Sequence, residues 1–464
     1  MIDKNILIII ETGYVARSLL RSNFLFNIKS DFSKVILVVP REKVNSYKKL
    51  YGFNNVIIES IIDSYPSIFQ KKFNIILKYS IHAKVAKLKI MRKIFKESGF
   101  RFNIWILYFP LIFFSYFLSR FKLWRKILRF IYSFFPVNID CINLLKKYNI
   151  DIIYANYTSI GVRDFNLNIL KAAKSLGIKT VGNIFSWDNL FSKVFITTHT
   201  DFITVPNQQV AEDAVNIGDF KRDSVKIVGL PHFDFYFNHK LILPKDDFFD
   251  KIGANPKKDF FIFAFGAGNQ RVDYEYFLDL LNKISEKCGG IQFYLRPYPK
   301  NYYNKSILNK YFGNKNLIFE KRPLDNLENL GNNFEFPEED NQLLFNLLYH
   351  SRGLICLTST LMIEACLMNT PIINLLYLGD KKINYYYRPE RHYELDHIVR
   401  IFKRNFSIKV RNDNELVNAI NSYLMNKELH QKERKETALE QMHIVNGTSA
   451  RELAAVLSSV GREI

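Results

Sequence analysis

Short apolar runs of about four to seven residues alternate along most of this chain with stretches that repeat apolar positions every three or four residues. The first kind reads as buried strand and the second as amphipathic helix. NILIII (5–10) is followed by a helix over 14–28, then by KVILVVP (34–40) and NVIIES (55–60). After a long insertion come DIIYAN (151–156), a helix over 165–177 closed by Gly177, KTVGNIF (179–185), DFITVP (201–206), a helix from Asn207, and SVKIVGLP (224–231). A proline-bearing stretch, 238–259, reads as a linker. Beyond it lie FFIFAFG (260–266), a helix over 273–287, IQFYLRP (291–297), NLIFEK (316–321), a helix over 341–350, GLICL (353–357), a helix over 359–368 and TPIINLL (370–376). HIVRIF (397–402), a helix over 414–425 and a charged helical tail at 427–462 complete the chain. Strands alternating with helices predict βαβ units on parallel sheets. The expected fold is α/β: two doubly wound Rossmann-like domains facing across a cleft, 1–237 and 260–445, with 446–464 as a C-terminal helix.

The insertion breaks this rhythm. Residues 103–118, NIWILYFPLIFFSYFL, carry no charge, yet 16 residues with Pro110 inside fall short of the roughly 20 that a spanning helix needs. Positions 61–130 hold 15 basic and 2 acidic residues, and the basic ones flank the apolar run on both sides. A crossing segment favours charge on one side. A segment lying in the interface of an anionic membrane fits better, and 90–136 is assigned that role; a buried helix pair and a spanning helix are the alternatives.

Charge strengthens the point. The net charge of +20 is confined to residues 1–200, with 31 Lys/Arg against 11 Asp/Glu, while 201–464 carry 34 of each. A one-sided basic field seeks a polyanion. Here the basic residues interleave with a long apolar run and not with aromatics on a polar sheet, so nucleic acid is not expected as a partner. With 464 residues and 48% hydrophobic content, packed cores are expected and global disorder is excluded. Cys141, Cys288, Cys356 and Cys366 form no CxxC pair and lack zinc-site spacing, which points to buried thiols in a reducing compartment and to no metal site. The start, MIDKNILIIIE, reads as a strand and not as a secretory signal, so the expected location is cytoplasmic, peripheral on the inner membrane face.

In doubly wound sheets ligands bind beyond the carboxyl ends of the strands. Four loops qualify. FAFGAGNQR places Gly266, Gly268 and Arg271 after a strand, suited to bare amides approaching a phosphate, or to a plain turn. YLRPYPKN places Arg296 at a strand exit, as a diphosphate clamp or a surface arginine. LTSTLMIEA opens a helix with Thr358, Ser359 and Thr360; N-capping explains the hydroxyls but not Glu364 inside an apolar helix, where it could accept from ribose hydroxyls. GNIFSWDNLFSK offers Trp187 as a stacking face, Asp188 as a general base and Asn189 beside it; an Asx-turn with the ring plugging the domain is the alternative. Glu11 at the end of the first strand, with Gly13 behind it and Arg17 on the next helix, forms a similar candidate group. Asp164 and His232 are weaker candidates.

Taken together, these stretches resemble GT-B glycosyltransferases. The C-terminal half is similar to CDP-glycerol glycerophosphotransferases and to bacterial surface-polysaccharide glycosyltransferases, through VGLPHFDFY (228–236), YLRPYP and LLYHSRGLICLTSTLMIEACLMNTPIINLLY. SWDNLFSK resembles an SWDNLTSKG segment of bacterial relatives, with Phe191 where Thr is usual. Tyr298 stands where glycerophosphotransferases carry a His, which weighs against polyol-phosphate transfer. The resemblance implies a nucleotide-sugar donor in the C-terminal domain, an acceptor (a lipid-linked glycan) in the N-terminal one, and no cofactor or metal strictly required. A CDP-polyol phosphotransferase and a UDP-sugar 2-epimerase of the same fold are the rival expectations.

Overall fold

The computed structural model describes residues 2–62, 66–96, 99–100, 102, 106, 113–157, 165–266, 273–297, 309–311, 313–321, 339–379 and 383–464. The chain divides into two compact units, Met1–Phe235 with Met442–Ile464, and Tyr236–Gln441.

In the first unit the apolar runs become β1 (Ile2–Ile9), β2 (Phe32–Val39) and β3 (Val56–Ser60). A two-residue antiparallel pair in the insertion, β4 (Phe95–Lys96) and β5 (Gly99–Phe100), stands apart. Then come β6 (Ile152–Asn156), β7 (Lys179–Asn183), β8 (Phe202–Val205) and β9 (Val225–Ile227). The parallel sheet has the order β3-β2-β1-β6-β7-β8-β9. The chain starts at the middle, winds outward to β3, and returns to the other side of β1, so the winding reverses between β1 and β6. Helices cover both faces, which is why Ile6–Ile9 are apolar without alternation and fully buried.

The expected helix over 14–28 is two helices, Gly13–Leu20 and Phe24–Asp31. Ser22 separates them: its hydroxyl donates to Ser18 O at 2.7 Å and accepts from Phe24 N at 3.3 Å, which competes with the helical ladder. The C-terminal helix Ser449–Arg462 is not a separate appendage. Its Ala450, Leu453, Ala454, Leu457 and Val460 recur at helical spacing and complete the core that holds Ile6, Ile8 and Phe32.

The second unit contains β10 (Phe260–Ala264), β11 (Gln292–Arg296), β12 (Leu317–Phe319), β13 (Gly353–Cys356), β14 (Ile372–Leu375) and β15 (Ile408–Val410). Its parallel order, β12-β11-β10-β13-β14-β15, repeats the same winding, with the reversal between β10 and β13. The stretch 238–259 is part of this unit: helix Lys245–Ile252 buries Phe248 and Phe249, and Phe248 stacks on His350 at 5.2 Å. HIVRIF lies in the helix Asp396–Ile401, with Ile398 and Ile401 buried three apart, and the last strand is β15 instead. All four cysteines are unpaired, and three of them are buried.

Candidate functional site

The first unit offers its winding reversal, the carboxyl ends of β1 and β6. Glu11 follows β1 there, half-buried, and Thr12 accepts from Val15 N at 3.4 Å to cap the helix that Gly13 begins. Arg17, on that helix, lies over the Phe235 ring at 5.5 Å. His232 stacks on Phe185 at 5.0 Å, and burial, then the charge of Arg17, pushes its imidazole down to about 3. His232 is therefore held neutral beside the arginine.

A polar ladder that the sequence reading missed runs along the same strand ends. Asn183 Nδ2 donates to Asn156 Oδ1 at 2.7 Å, and Thr204 Oγ1 donates to Asn183 Oδ1 at 2.9 Å. Asn156 Nδ2 reaches Ile9 O at 3.4 Å, and Asn166 Nδ2 donates to Asn156 O at 2.9 Å. Asn156, Asn183 and Thr204 are register partners on adjacent strands, so one row of side chains ties four strand ends together. The signal was present: DIIYAN and TVGN each end an apolar run on asparagine.

The GNIFSWDNLFSK stretch leaves β7 and forms a single π-turn, Asn189–Lys193. Such turns are rare and frequent at functional sites. Asp188 stands at its start, accepting from Ser186 Oγ at 2.9 Å and from Ser192 Oγ at 3.1 Å. Asn189 is buried and donates to Tyr157 O at 2.8 Å. Lys89, from the insertion, donates to Ser192 O. Trp187 is only 7% exposed, so its ring fills the unit and does not present the open stacking face expected of it. Asp164 lies outside the described residues.

In the second unit, Gly266 lies two residues after β10 and its carbonyl accepts from Tyr274 OH at 3.3 Å. Gly268 and Arg271 lie outside the described residues, as does Tyr298. After β13, Thr358 is half-buried, while Ser359 and Thr360 are exposed. Ser359 Oγ accepts from Leu361 N at 3.3 Å, the local capping role. Thr358 lines, with Leu378, Tyr387, His392 and Tyr393, a pocket of about 10 Å³, the room of one water. Glu364, expected to face ribose hydroxyls, is 7% exposed and accepts from Tyr236 OH at 2.5 Å. That bond is what places a carboxylate in an apolar helix.

Arg296 differs most from expectation. It is 7% exposed, and donates to Glu320 Oε2 at 2.7 Å and to Asp340 Oδ1 at 2.9 Å, both carboxylates buried with it. Two buried carboxylates thus take up the charge that a diphosphate would have used.

VGLPHFDFY has a structural task as well. Asp234 accepts from Ser449 N at 3.1 Å and Ala450 N at 2.8 Å, capping the C-terminal helix. Burial raises its carboxyl, and those amide bonds pull the other way. Gly229, at φ +72° and 2.6 Å from Ser449 Oγ by any added Cβ, lets the loop reach that helix.

Neither a protein-family model nor a curated protein sequence matches the chain. Solved structures do. The UDP-GlcNAc 2-epimerase of Neisseria meningitidis bound to UDP-GlcNAc aligns over 98% of this chain and 99% of its own, at 11% identity and TM-score 0.56. The UDP-GlcNAc 2-epimerase of Methanocaldococcus jannaschii aligns over 98% and 99%, at 13% identity and TM-score 0.53. A glycosyltransferase from Rickettsia africae aligns over 99% and 98%, at 11% identity and TM-score 0.50. Two successive parallel sheets, the first wound 3-2-1-4-5-6-7 over seven strands and the second 3-2-1-4-5-6 over six, each clothed in helices, and this likeness along the whole chain establish an α/β fold of the GT-B-like kind.

Proposed function

We propose that the protein is a GT-B-type glycosyltransferase that moves a sugar from a nucleotide-sugar donor to a lipid-linked or polysaccharide acceptor in bacterial surface glycan synthesis. The observation that carries the reading is the basic, outwardly apolar insertion on the first unit of a GT-B-like fold. A transferase with a lipid-linked acceptor needs such a surface; an enzyme that rearranges a soluble sugar nucleotide does not.

In this reading the second unit holds the donor. The Gly266 and Gly268 amides, the Thr358–Thr360 loop and Arg271 are assigned to its phosphates, to stabilise the leaving diphosphate without a metal. The chemistry Arg296 would have supplied there passes to Arg271, because Arg296 is ion-paired inside the unit. Glu364 acts through Tyr236, by fixing the helix behind the loop. In the first unit, Glu11 or Asp188 deprotonates the acceptor hydroxyl, with Gly13, Arg17 and Asn189 shaping the surroundings and Trp187 supporting them from within. The enzyme works on the cytoplasmic side of the inner membrane, as a peripheral protein, with no role for nucleic acid.

The test has two arms. UDP, GDP, dTDP, CDP and CMP are screened for thermal stabilisation; a bound nucleotide at a hundredfold excess over its Kd adds about 2.7 kcal/mol. The matching nucleotide sugar is then incubated with membrane extract. Transfer of label to the lipid fraction supports the reading. An isomerised sugar nucleotide with no acceptor present would establish the epimerase reading instead, which two of the aligned structures favour. If no nucleotide raises the melting point, the donor-site assignment fails.

A further inference from the structure

Helix Lys122–Ser133 is amphipathic in the inverted sense. Two of its arginines, Arg125 and Arg129, face the protein, and an apolar stripe faces out. Leu123, Ile127, Phe130 and Phe134 fall at i, i+4, i+7 and i+11, one stripe of the helix, and are 69%, 39%, 65% and 72% exposed. Phe113, Phe114 and Phe117, on a helical stretch at 113–118, and Phe121, after the turn that follows it, are 44–60% exposed and extend the patch. Exposed apolar area on this scale marks an interaction surface.

On the opposite side, Arg125 and Arg129 point inward and share one carboxylate. Arg125 donates to Asp219 at 2.6 and 2.8 Å, and Arg129 donates to it at 2.7 Å. Further donations, from Arg125 to Ser119 O at 2.9 Å and from Arg129 to Ile196 O at 2.7 Å, lock both guanidinium groups in place. Two cations on one anion leave a surplus positive charge. Arg120 adds another: it is exposed, its Nε donates to His82 Nε2 at 3.1 Å, and no carboxylate pairs with it among the described residues. These three arginines, with His82 and Ser119, line a pocket of about 240 Å³. Lys122 and Lys126 stand exposed between the pocket and the stripe.

We propose that this pocket binds the phosphate headgroup of an anionic membrane lipid while the Leu123–Ile127–Phe130–Phe134 stripe enters the acyl boundary. The chemistry is that of interfacial helices, in which an apolar face buries area and cations hold lipid phosphates. Charge complementarity selects the occupant. A second copy of this strongly basic face would set its arginines and lysines against their like, whereas an anionic bilayer offers both the phosphates and the apolar layer. The inference deepens the acceptor side of the proposed function, since it assigns the surface on which a lipid-linked acceptor is met.

The experiment is vesicle flotation of the full chain, with phosphatidylcholine vesicles and with vesicles also containing phosphatidylglycerol. Wild type is expected to float with the anionic vesicles. Arg120→Gln should weaken that partitioning about fivefold, the effect of one charge at an anionic surface, and leave the binding to neutral vesicles unchanged. Leu123→Ser with Phe130→Ser should weaken partitioning to both kinds of vesicle by at least about tenfold. These residues are exposed, and unchanged melting points establish that the variants fold. Equal binding to neutral and anionic vesicles, or an unaltered Arg120→Gln, overturns the phosphate site. Inorganic phosphate that stabilises wild type but not Arg120→Gln, with no flotation, overturns the lipid assignment in favour of a soluble anion. Dimerisation lost in Leu123→Ser with Phe130→Ser, again with no flotation, overturns it in favour of a second copy. A chain that floats but binds no nucleotide keeps this surface and loses the transferase reading.

Discussion

Replacing Arg296 by Met decides between two roles for one residue. As a diphosphate clamp it would be dispensable for folding and needed for nucleotide binding. As placed here, it neutralises Glu320 and Asp340 in a region where all three side chains are 8% exposed or less. Met fills a similar volume but leaves two carboxylates buried without a cation. Breaking a buried pair in this way costs roughly 3–5 kcal/mol. For a unit of this size each kcal/mol moves the midpoint by about 2–4 °C, so the second unit should melt about 6–20 °C lower. The deficit should shrink as pH falls towards the carboxylate range, because protonation removes the uncompensated charge. Adding Glu320→Gln and Asp340→Asn to the same chain should restore most of the loss. Calorimetry at neutral and at mildly acid pH gives these numbers directly. A single variant that melts within a degree or two of wild type, yet no longer responds to a nucleotide diphosphate, would refute the structural role and return Arg296 to the donor site.

Three further outcomes follow from the geometry. Burial opposes the charged form of Asp219, but Arg125 and Arg129 outweigh it and hold the carboxyl below its usual value; its stabilising share is present above the unfolded pKa near 4 and is lost as pH falls through the folded one, so urea midpoints should decline over that acid window in wild type and more weakly in Asp219→Asn, which starts lower at neutral pH. Gly182→Ala would put a Cβ 2.4 Å from the buried Tyr157 ring and 2.7 Å from Thr200 Oγ1, so it should cost about 1–3 kcal/mol in a denaturant titration. Asp234→Ala removes two amide caps and should cost about 0.5–2 kcal/mol, seen as faster hydrogen exchange through Ser449–Arg462; unchanged exchange there would show that the cap contributes nothing.

Local pattern determined most of the fold. Strands buried on both faces must be apolar throughout, and the runs 34–40, 55–60, 151–156, 260–266 and 353–357 each contain an observed strand to within a few residues. Alternation with helices then dictated parallel, doubly wound sheets, and the one-sided charge singled out the insertion. What the sequence left open was every pairing between distant positions. Ser22 looks like any helical serine until its bond to Ser18 is seen, and Arg296 looks like a ligand until Glu320 and Asp340, 24 and 44 residues on, close around it. Glu364 waits on Tyr236, the Asn156–Asn183–Thr204 row on the register of three strands, and the C-terminal helix on Asp234, more than 200 residues earlier. The apolar stripe of helix Lys122–Ser133 could have faced the core as readily as the solvent. Asp219, which pairs with Arg125 and Arg129, and the buried Leu128 and Tyr132 hold the opposite face inward and so turn the stripe out. Periodicity is local, and a chain carries it in plain order; the partner of a buried charge is chosen by three-dimensional proximity, which no stretch of residues records.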